Sequence, residues 1–484
     1  MAALFGKKQM KNMTTRSLSY KKLPLSLRDR GFWKTTLALA IPIALQNMLT
    51  ASFALVDTLM VGQLGEVALS SVGMAGQWNW LMNMMLFGIC SGAAVFVSQY
   101  WGNKNTSGIH RVLGITTVSS LILSLVFMLV AVFAPETVIS IFNRDPAVVQ
   151  SGAEYLRYAA FSYPAAALTV ALCTVLRSVE KPWLPMIASG VTTVLNAVMN
   201  YVLIFPAGLG VKGAAIATCA SAWLGVIIIV ITSLIKKNIL IASPRALFSF
   251  NKSFLFDLVK KSAPVMVNET MWGMGTLCYQ IIFSNMGYEQ YAAITIVRTF
   301  ENITFCFFIG LCSACCVMVG KSIGSGEIRE AIRDSKRFNI LMPLTAVVLG
   351  ALIIACRAPL VSLFNLGQQV SGNTLQIAEA ILIIYGVWVP ARNVSYLLIV
   401  GIFRSGGDTA TGMKWEMPIL WLFAIPITFV CAYVFHLPFL AVYAIMYLCE
   451  DIPKIIIFFT HYFKGKWIKP VTEEGVRGFE EFCS

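Results

Sequence analysis

Apolar runs of about 20 residues recur along nearly the whole chain, separated by short polar stretches. Each run is long enough to cross a hydrocarbon layer of ~30 Å as a helix. A membrane β-barrel would instead alternate polar and apolar positions in segments of about ten residues, and these runs do not alternate. The pattern predicts an all-α polytopic membrane protein with twelve transmembrane helices. The spans fall roughly at 35–60, 74–98, 112–134, 158–178, 183–205, 213–235, 262–286, 292–320, 338–358, 378–402, 415–435 and 438–460. The first 34 residues are polar and basic, without the short apolar core of a cleaved signal peptide.

The pattern repeats itself. At a shift of 222, Pro42 matches Pro264, Gly65 matches Gly287, Gly88 matches Gly310, Gly102 matches Gly324, and Phe142-Asn143 matches Phe364-Asn365. Small insertions then move the register, so that Pro164 pairs with Pro390 and Arg177-Ser178 with Arg404-Ser405. A shift held through punctuating Gly and Pro signals an internal duplication. Six spans per half is an even number, so both halves enter from the same side and the repeat is parallel. The expected organisation is a basic cytoplasmic segment at 1–34, an N-terminal six-helix lobe at 35–235 and a cytoplasmic linker at 236–261. A C-terminal six-helix lobe at 262–460 and a cytoplasmic tail at 461–484 complete it. Two like bundles facing each other would leave a cleft that rocking opens to each side in turn.

Composition supports the membrane reading. Of 484 residues 57% are hydrophobic and 12% charged, against roughly 25% charged in soluble domains. The net charge of +14 invites a nucleic-acid partner, but its distribution excludes one. With both ends on one side, 31 of the 37 Lys and Arg fall in the tails and alternate loops, Lys454 and Arg404 counted among them. The opposite loops hold Arg144, Arg157, Lys212 and Arg357. By the positive-inside rule both termini are cytoplasmic, and a cell (plasma or inner) membrane is the expected location. The twelve cysteines show no metal spacing; Cys312, Cys315 and Cys316 sit within a span with no His partner and read as small packing residues. Val319-Gly320-Lys321-Ser322 ends like a phosphate loop, but Cys315 occupies the upstream Gly position and no strand precedes it, so ATP is excluded as the energy source.

The candidate chemistry is polar residues inside spans. An Asp at the centre of a span is unfavourable by roughly 2.5–3.5 kcal/mol, so Asp57 asks for a reason. Asn47, Thr50, Ala54 and Asp57 share one narrow helical face. Asn196 and Asn200 lie one turn apart in the fifth span, and Thr218 lies in the sixth. One carboxylate with neutral oxygens suits a hard monovalent cation; alternatively Asp57 carries a proton itself, or it terminates its span at water while the Asn residues hydrogen-bond neighbouring helices. In the second half Glu269, Gly273, Thr276 and Gln280 form the polar face of the seventh span. By the repeat Glu269 matches Asn47, which sets the two acids ~15 Å apart in depth, Asp57 in the outer half and Glu269 in the inner. Arg298, Glu301 and Arg392 also lie within spans, where ion pairs such as Glu269 with Arg392 would lower their cost. Asn47, Glu269, Arg298 and Arg392 are thus candidates for a substrate or second ion site. No other metal site, no cofactor beyond a coupling ion, and no nucleophile–base arrangement of an enzyme is apparent.

These residues resemble the multidrug and toxic compound extrusion (MATE) transporters over about residues 30–460. The carriers are Ala40-Ile41-Pro42, Val56-Asp57-Thr58 with Gly62 and Gly65, Gly88-Ile89-Cys90-Ser91-Gly92-Ala93, and Gln99-Tyr100-Trp101-Gly102. Phe205-Pro206, Gly213-Ala214-Ala215-Ile216-Ala217-Thr218 and Arg404-Ser405-Gly406-Gly407-Asp408-Thr409 continue the likeness. The resemblance implies two six-helix lobes in a V and export of organic cations against inward H⁺ or Na⁺, with Asp57 as coupling residue and Asn196 as a fifth-span ligand. Asn200 stands where Asp is frequent, so the site has one acid fewer. Glu269 falls about one turn earlier after Pro264 than the family's seventh-span Glu. Pro390 is followed by Ala391 and Arg392 where some members carry Asp, which speaks against a C-lobe sodium site.

The expected function is therefore a secondary antiporter, a monomer embedded in a lipid bilayer, that exports amphipathic cationic small molecules. The alternative is a lipid-linked saccharide flippase of related fold, kept open by the two intramembrane Arg residues. A signalling or structural membrane protein that moves nothing is a third class, against which the duplicated cleft argues.

Overall fold

A computed structural model describes residues 28–362, 364 and 371–483. Residues 1–27 of the expected basic N-terminal segment, and Asn365 of the repeat, lie outside the described residues. Among the described residues twelve long helices follow one another: α1 (Arg30–Gly62), α2 (Glu66–Gly102), α3 (Thr106–Phe133), α4 (Pro146–Ser178), α5 (Trp183–Ile204), α6 (Gly210–Ile235), α7 (Lys252–Ser284), α8 (Tyr288–Gly324), α9 (Ile328–Ala355), α10 (Gly372–Phe403), α11 (Ala410–Tyr433) and α12 (Phe439–Phe463). A short α13 (Glu473–Cys483) ends the chain.

Ten of the twelve are long and apolar enough to cross a membrane; α7 and α12 are long enough but more polar. That exception has a definite origin. Asn268, Glu269 and Gln280 lie in α7, and Glu450, Asp451 and Lys454 lie near the middle of α12. α7 also starts ten residues before the expected span, because the basic stretch from Lys252 to Lys261 winds on as helix. Before it the chain from 236 holds one short helix, Pro244–Leu247.

The duplication is visible residue by residue. α1 and α7 both have 33 residues, α2 and α8 both 37, and α3 and α9 both 28, each pair at the sequence shift that aligns Pro42 with Pro264. The helices group into two compact units. One runs Ile41–Met266; the other takes the residues up to Ala40 and from Val267 onward. Both boundaries fall inside helices, next to Pro42 in α1 and Pro264 in α7. A proline within a helix removes one hydrogen bond and bends it, so each half sends the start of its first helix into the unit built by the other.

Side chains explain these exchanged ends. At the start of α1, Phe32 meets Phe338 of α9 edge to face with ring centroids 5.2 Å apart, and the Arg337 guanidinium stacks over Phe32 at 5.0 Å. Arg337 also donates to Asp29 at 3.0 Å and Asp334 at 2.8 Å. At the start of α7, Met266 and Ser262 lie against Gly88 and Gly92 of α2, so close that a Cβ on either glycine would strike the α7 backbone. Small residues four apart allow such close helix approach in membranes. Gly88→Ala should lower the thermal midpoint in detergent, the overpacking costing about 1–3 kcal/mol. Gly73→Ala on the same helix, where a Cβ meets nothing within 4 Å, should be neutral or stabilising.

Candidate functional site

In the Ile41–Met266 unit, α1, α4, α5 and α6 converge on one polar cluster. Asn200 Nδ2 donates to Asp57 Oδ1 at 2.7 Å and to Asn196 Oδ1 at 3.0 Å. Asn196 Nδ2 donates to Ser221 Oγ at 3.3 Å, and Ser221 Oγ to the Thr218 carbonyl at 3.1 Å. The Tyr155 hydroxyl of α4 faces Thr218 and lies within reach of the Asp57 charge. Asn196 and Asn200 are fully enclosed, at 1% and 0% exposure, while Asp57 and Thr218 are half-buried. The one-turn spacing of the two asparagines puts both amides on the face of α5 that meets α1. Asn200 Oδ1 is buried and accepts no hydrogen bond. A carboxylate beside an unpartnered amide oxygen is chemically fit to receive one small positive ion.

The structure thus brings together Asp57, Asn196, Asn200 and Thr218. It sets Asn47 apart. Asn47 donates to the Ile43 carbonyl at 2.9 Å and Thr50 to the Gln46 carbonyl at 3.0 Å, one turn back in their own helix. Bonds of that kind satisfy a polar side chain locally, so of the expected stripe on α1 it is Asp57 that reaches another helix. An open cavity of about 1240 Å³ in this unit is lined by Glu136, Arg144, Glu154, Arg157 and Lys212 and holds none of these four residues.

The other unit holds a second, more heavily charged cluster. The expected pairing of Glu269 with Arg392 is corrected: Glu269 is buried and receives a hydrogen-bonded ion pair from Arg404. The reason lies in α10, whose segment Leu397–Phe403 is π-helical. The wider turn shifts the facing of the residues that follow it, and Arg404 is the next residue. Arg404 has a counterpart in the other unit, where Arg177 donates from Nε and Nη2 to Gln46 Oε1 at 3.1 and 2.5 Å. The repeat had aligned Arg177-Ser178 with Arg404-Ser405; in each unit that arginine holds a polar residue just after the helix proline.

Arg392 instead stacks over Tyr447 at 5.5 Å and donates to its hydroxyl at 3.2 Å. Tyr447 and Tyr443 both donate to Glu301 at 3.2 Å. Arg298 is half-buried, and among the described residues it takes no part in these bonds. Four residues that sequence reasoning passed over complete the cluster: Glu416 of α11 and Glu450, Asp451 and Lys454 of α12. Lys454 Nζ donates to Glu416 at 3.0 Å and Glu450 at 2.8 Å, and Asn268 Nδ2 donates to Glu416 at 2.8 Å. Lys454 is therefore no part of a solvated tail, nor Arg404 of a solvated loop: both are 2–3% exposed. The available signal was the acidic pair and the lysine one turn on, within a span.

At the α10–α11 turn, Asp408 anchors the chain end. Lys469 Nζ donates to it at 2.8 Å and Thr411 Oγ1 at 2.7 Å, and His461 Nε2 lies 2.7 Å away. Gly407, at φ 86°, allows the turn and bridges to Ile468, while Trp467 packs fully buried on Gly406. Burial pushes the Asp408 carboxyl up, but His461, Lys469 and Thr411 outweigh it and hold it below the usual carboxylate range. A carboxyl depressed by folding stabilises above its unfolded value of about 3.9, and that stability is lost as pH falls through the lower folded value. The thermal midpoint should therefore fall on acidification below about pH 4. Asp408→Asn should show a lower midpoint at neutral pH and a shallower acid fall.

Comparisons with known proteins agree with this geometry. The MatE family model matches twice, over residues 42–202 and 264–442, so the second match begins at the repeat partner of the first. The chain is 25% identical over 446 residues to a probable multidrug resistance protein NorM from Thermotoga maritima, covering 90% of this chain and 93% of that one. It is 24% identical over 428 residues to a probable multidrug resistance protein YoeA from Bacillus subtilis, covering 85% and 89%. A solved structure of a MATE protein in a bent conformation superposes with a TM-score of 0.81 at 16% identity, over 90% of this chain and 96% of that chain.

Proposed function

The chain belongs to the MatE family of multi-pass membrane transporters, and on that premise we propose that it is a secondary active antiporter. It expels amphipathic organic cations while H⁺ or Na⁺ enters, by alternating access, from a cell membrane in which both its ends face the cytoplasm. The observation that carries this reading is Asp57, a carboxylate in a span, held by Asn200 beside an unpartnered buried oxygen. Such a site changes its affinity when the helices around it shift. Only an ion bound differently in two states can drive a conformational cycle. Asn196, Thr218 and Tyr155 supply the rest of the enclosure.

A second reading has its own observation. Arg298 and Arg392 lie within spans, and two intramembrane guanidinium groups suit an anionic, lipid-linked saccharide. Purified protein in vesicles distinguishes the two. The antiport reading expects a fluorescent organic cation to move against its gradient when an ion gradient is imposed, and a labelled lipid-linked saccharide to stay in its leaflet. Translocation of the saccharide without movement of the cation would replace it with the flippase reading.

A further inference from the structure

The charged cluster of the C-terminal unit does not balance. Glu416, Glu450 and Asp451 gather around the one ammonium of Lys454, while Arg404 is matched by Glu269 and Arg392 stacks on Tyr447. Fully ionised, three carboxylates would share one ammonium, and Asp451 would be a buried carboxylate with an oxygen that has no hydrogen-bond partner among the described residues. Burying an unpaired carboxylate is so unfavourable that the group neutralises instead.

The hydrogen bonds single out which one does. Glu269 has Arg404, and Glu416 has Lys454 and Asn268. Glu450 has Lys454, and Glu301 has two tyrosine hydroxyls. Asp451 is 3% exposed, and its Oδ2 is buried with no hydrogen-bond partner among the described residues. The charged and titratable groups around it are Glu450 and Lys454 on its own helix, Arg392 from α10, Glu416 from α11 and Tyr279 from α7. Tyr279 is the residue that the repeat places opposite Asp57. At the position of Asp57 the second half has a tyrosine, and the buried acid near that tyrosine, Asp451, comes from α12.

We propose that Asp451 is a proton-binding site, holding an exchangeable proton on Oδ2 in the half of the molecule that has Tyr279 where the first half has Asp57. The proton comes from water and returns to it; no other bond is made or broken. While it is bound, Lys454 bridges Glu416 and Glu450. When it leaves, the new carboxylate competes for Lys454 and loosens the α11–α12 contact through Glu416. That the proton serves coupling rests on the antiport reading; that it is bound does not.

Infrared spectroscopy of the purified, full-length protein in lipid at neutral pH tests the site. A protonated-carboxyl C=O band that shifts in D₂O should be lost in Asp451→Asn and kept in Asp57→Asn. Should Asp451→Asn fail to elute as folded protein, Asp451→Glu should move the band. A band unchanged by either Asp451 substitution, or one that disappears in Glu450→Gln instead, overturns the assignment. Because no transport is involved, failure of antiport would leave the band in place, and absence of the band would leave coupling at Asp57 intact.

Discussion

Asp57→Asn should abolish ion-driven efflux while leaving expression and folding intact. The substitution keeps the side chain's size and its contact with Asn200, since the amide oxygen of an asparagine can still accept from Asn200 Nδ2. It removes the charge that would be exchanged. A carboxylate at the centre of a span costs roughly 2.5–3.5 kcal/mol to insert, so the neutral variant is no less easily inserted, and a stability defect is not expected. Cells carrying it should be as sensitive to toxic organic cations as cells without the protein, at equal membrane abundance. Asn47→Ala is the matched control, because Asn47 bonds only within α1 among the described residues; it should retain most of the resistance. Equal resistance in Asp57→Asn and the parent would remove Asp57 from the mechanism.

The second large effect is one of stability. Arg404 and Glu269 are 2% and 9% exposed and hold each other. Breaking a buried pair from one side leaves an unpaired buried charge and costs about 3–5 kcal/mol, whereas replacing both partners with apolar groups is often close to neutral. Arg404→Leu should therefore lower the thermal midpoint sharply, and Glu269→Leu with Arg404→Leu should recover most of the loss. The pairing also bears on Glu269 as a substrate ligand. A carboxylate already matched by a guanidinium offers little net charge to a cation, so Glu269→Gln should reduce transport of cationic and neutral compounds alike. A loss confined to cations would return Glu269 to the substrate site.

How far the sequence could be read depended on what each residue's partner was. The helices were legible because a 20-residue apolar run has one stable outcome in lipid, and the repeat was legible because prolines and glycines hold register. Asp57, Asn196, Asn200 and Thr218 could be gathered from spacing alone, since each stands out in an apolar span and α5 puts its two asparagines on one face. The C-terminal cluster resisted the same treatment. Arg404 looked like a loop residue at the end of α10, and its direction depends on a π-helical turn that no apolar pattern encodes. Lys454 counts by charge with the basic residues of the tail although it falls inside the span expected at 438–460, and in α12 it turns inward to Glu416 and Glu450. Asn47 stood out by polarity and proved to be satisfied by its own helix. Charge inside a span signals that something pairs with it; which partner it takes is a matter of helix rotation.

The most direct test of the account is transport by purified protein in vesicles, with an inward Na⁺ gradient and a proton gradient imposed separately. The account predicts that one of the two gradients drives a fluorescent organic cation uphill in the parent and that neither does so in Asp57→Asn. Uphill movement in Asp57→Asn equal to the parent's, or movement in the parent that ignores both gradients, would contradict it.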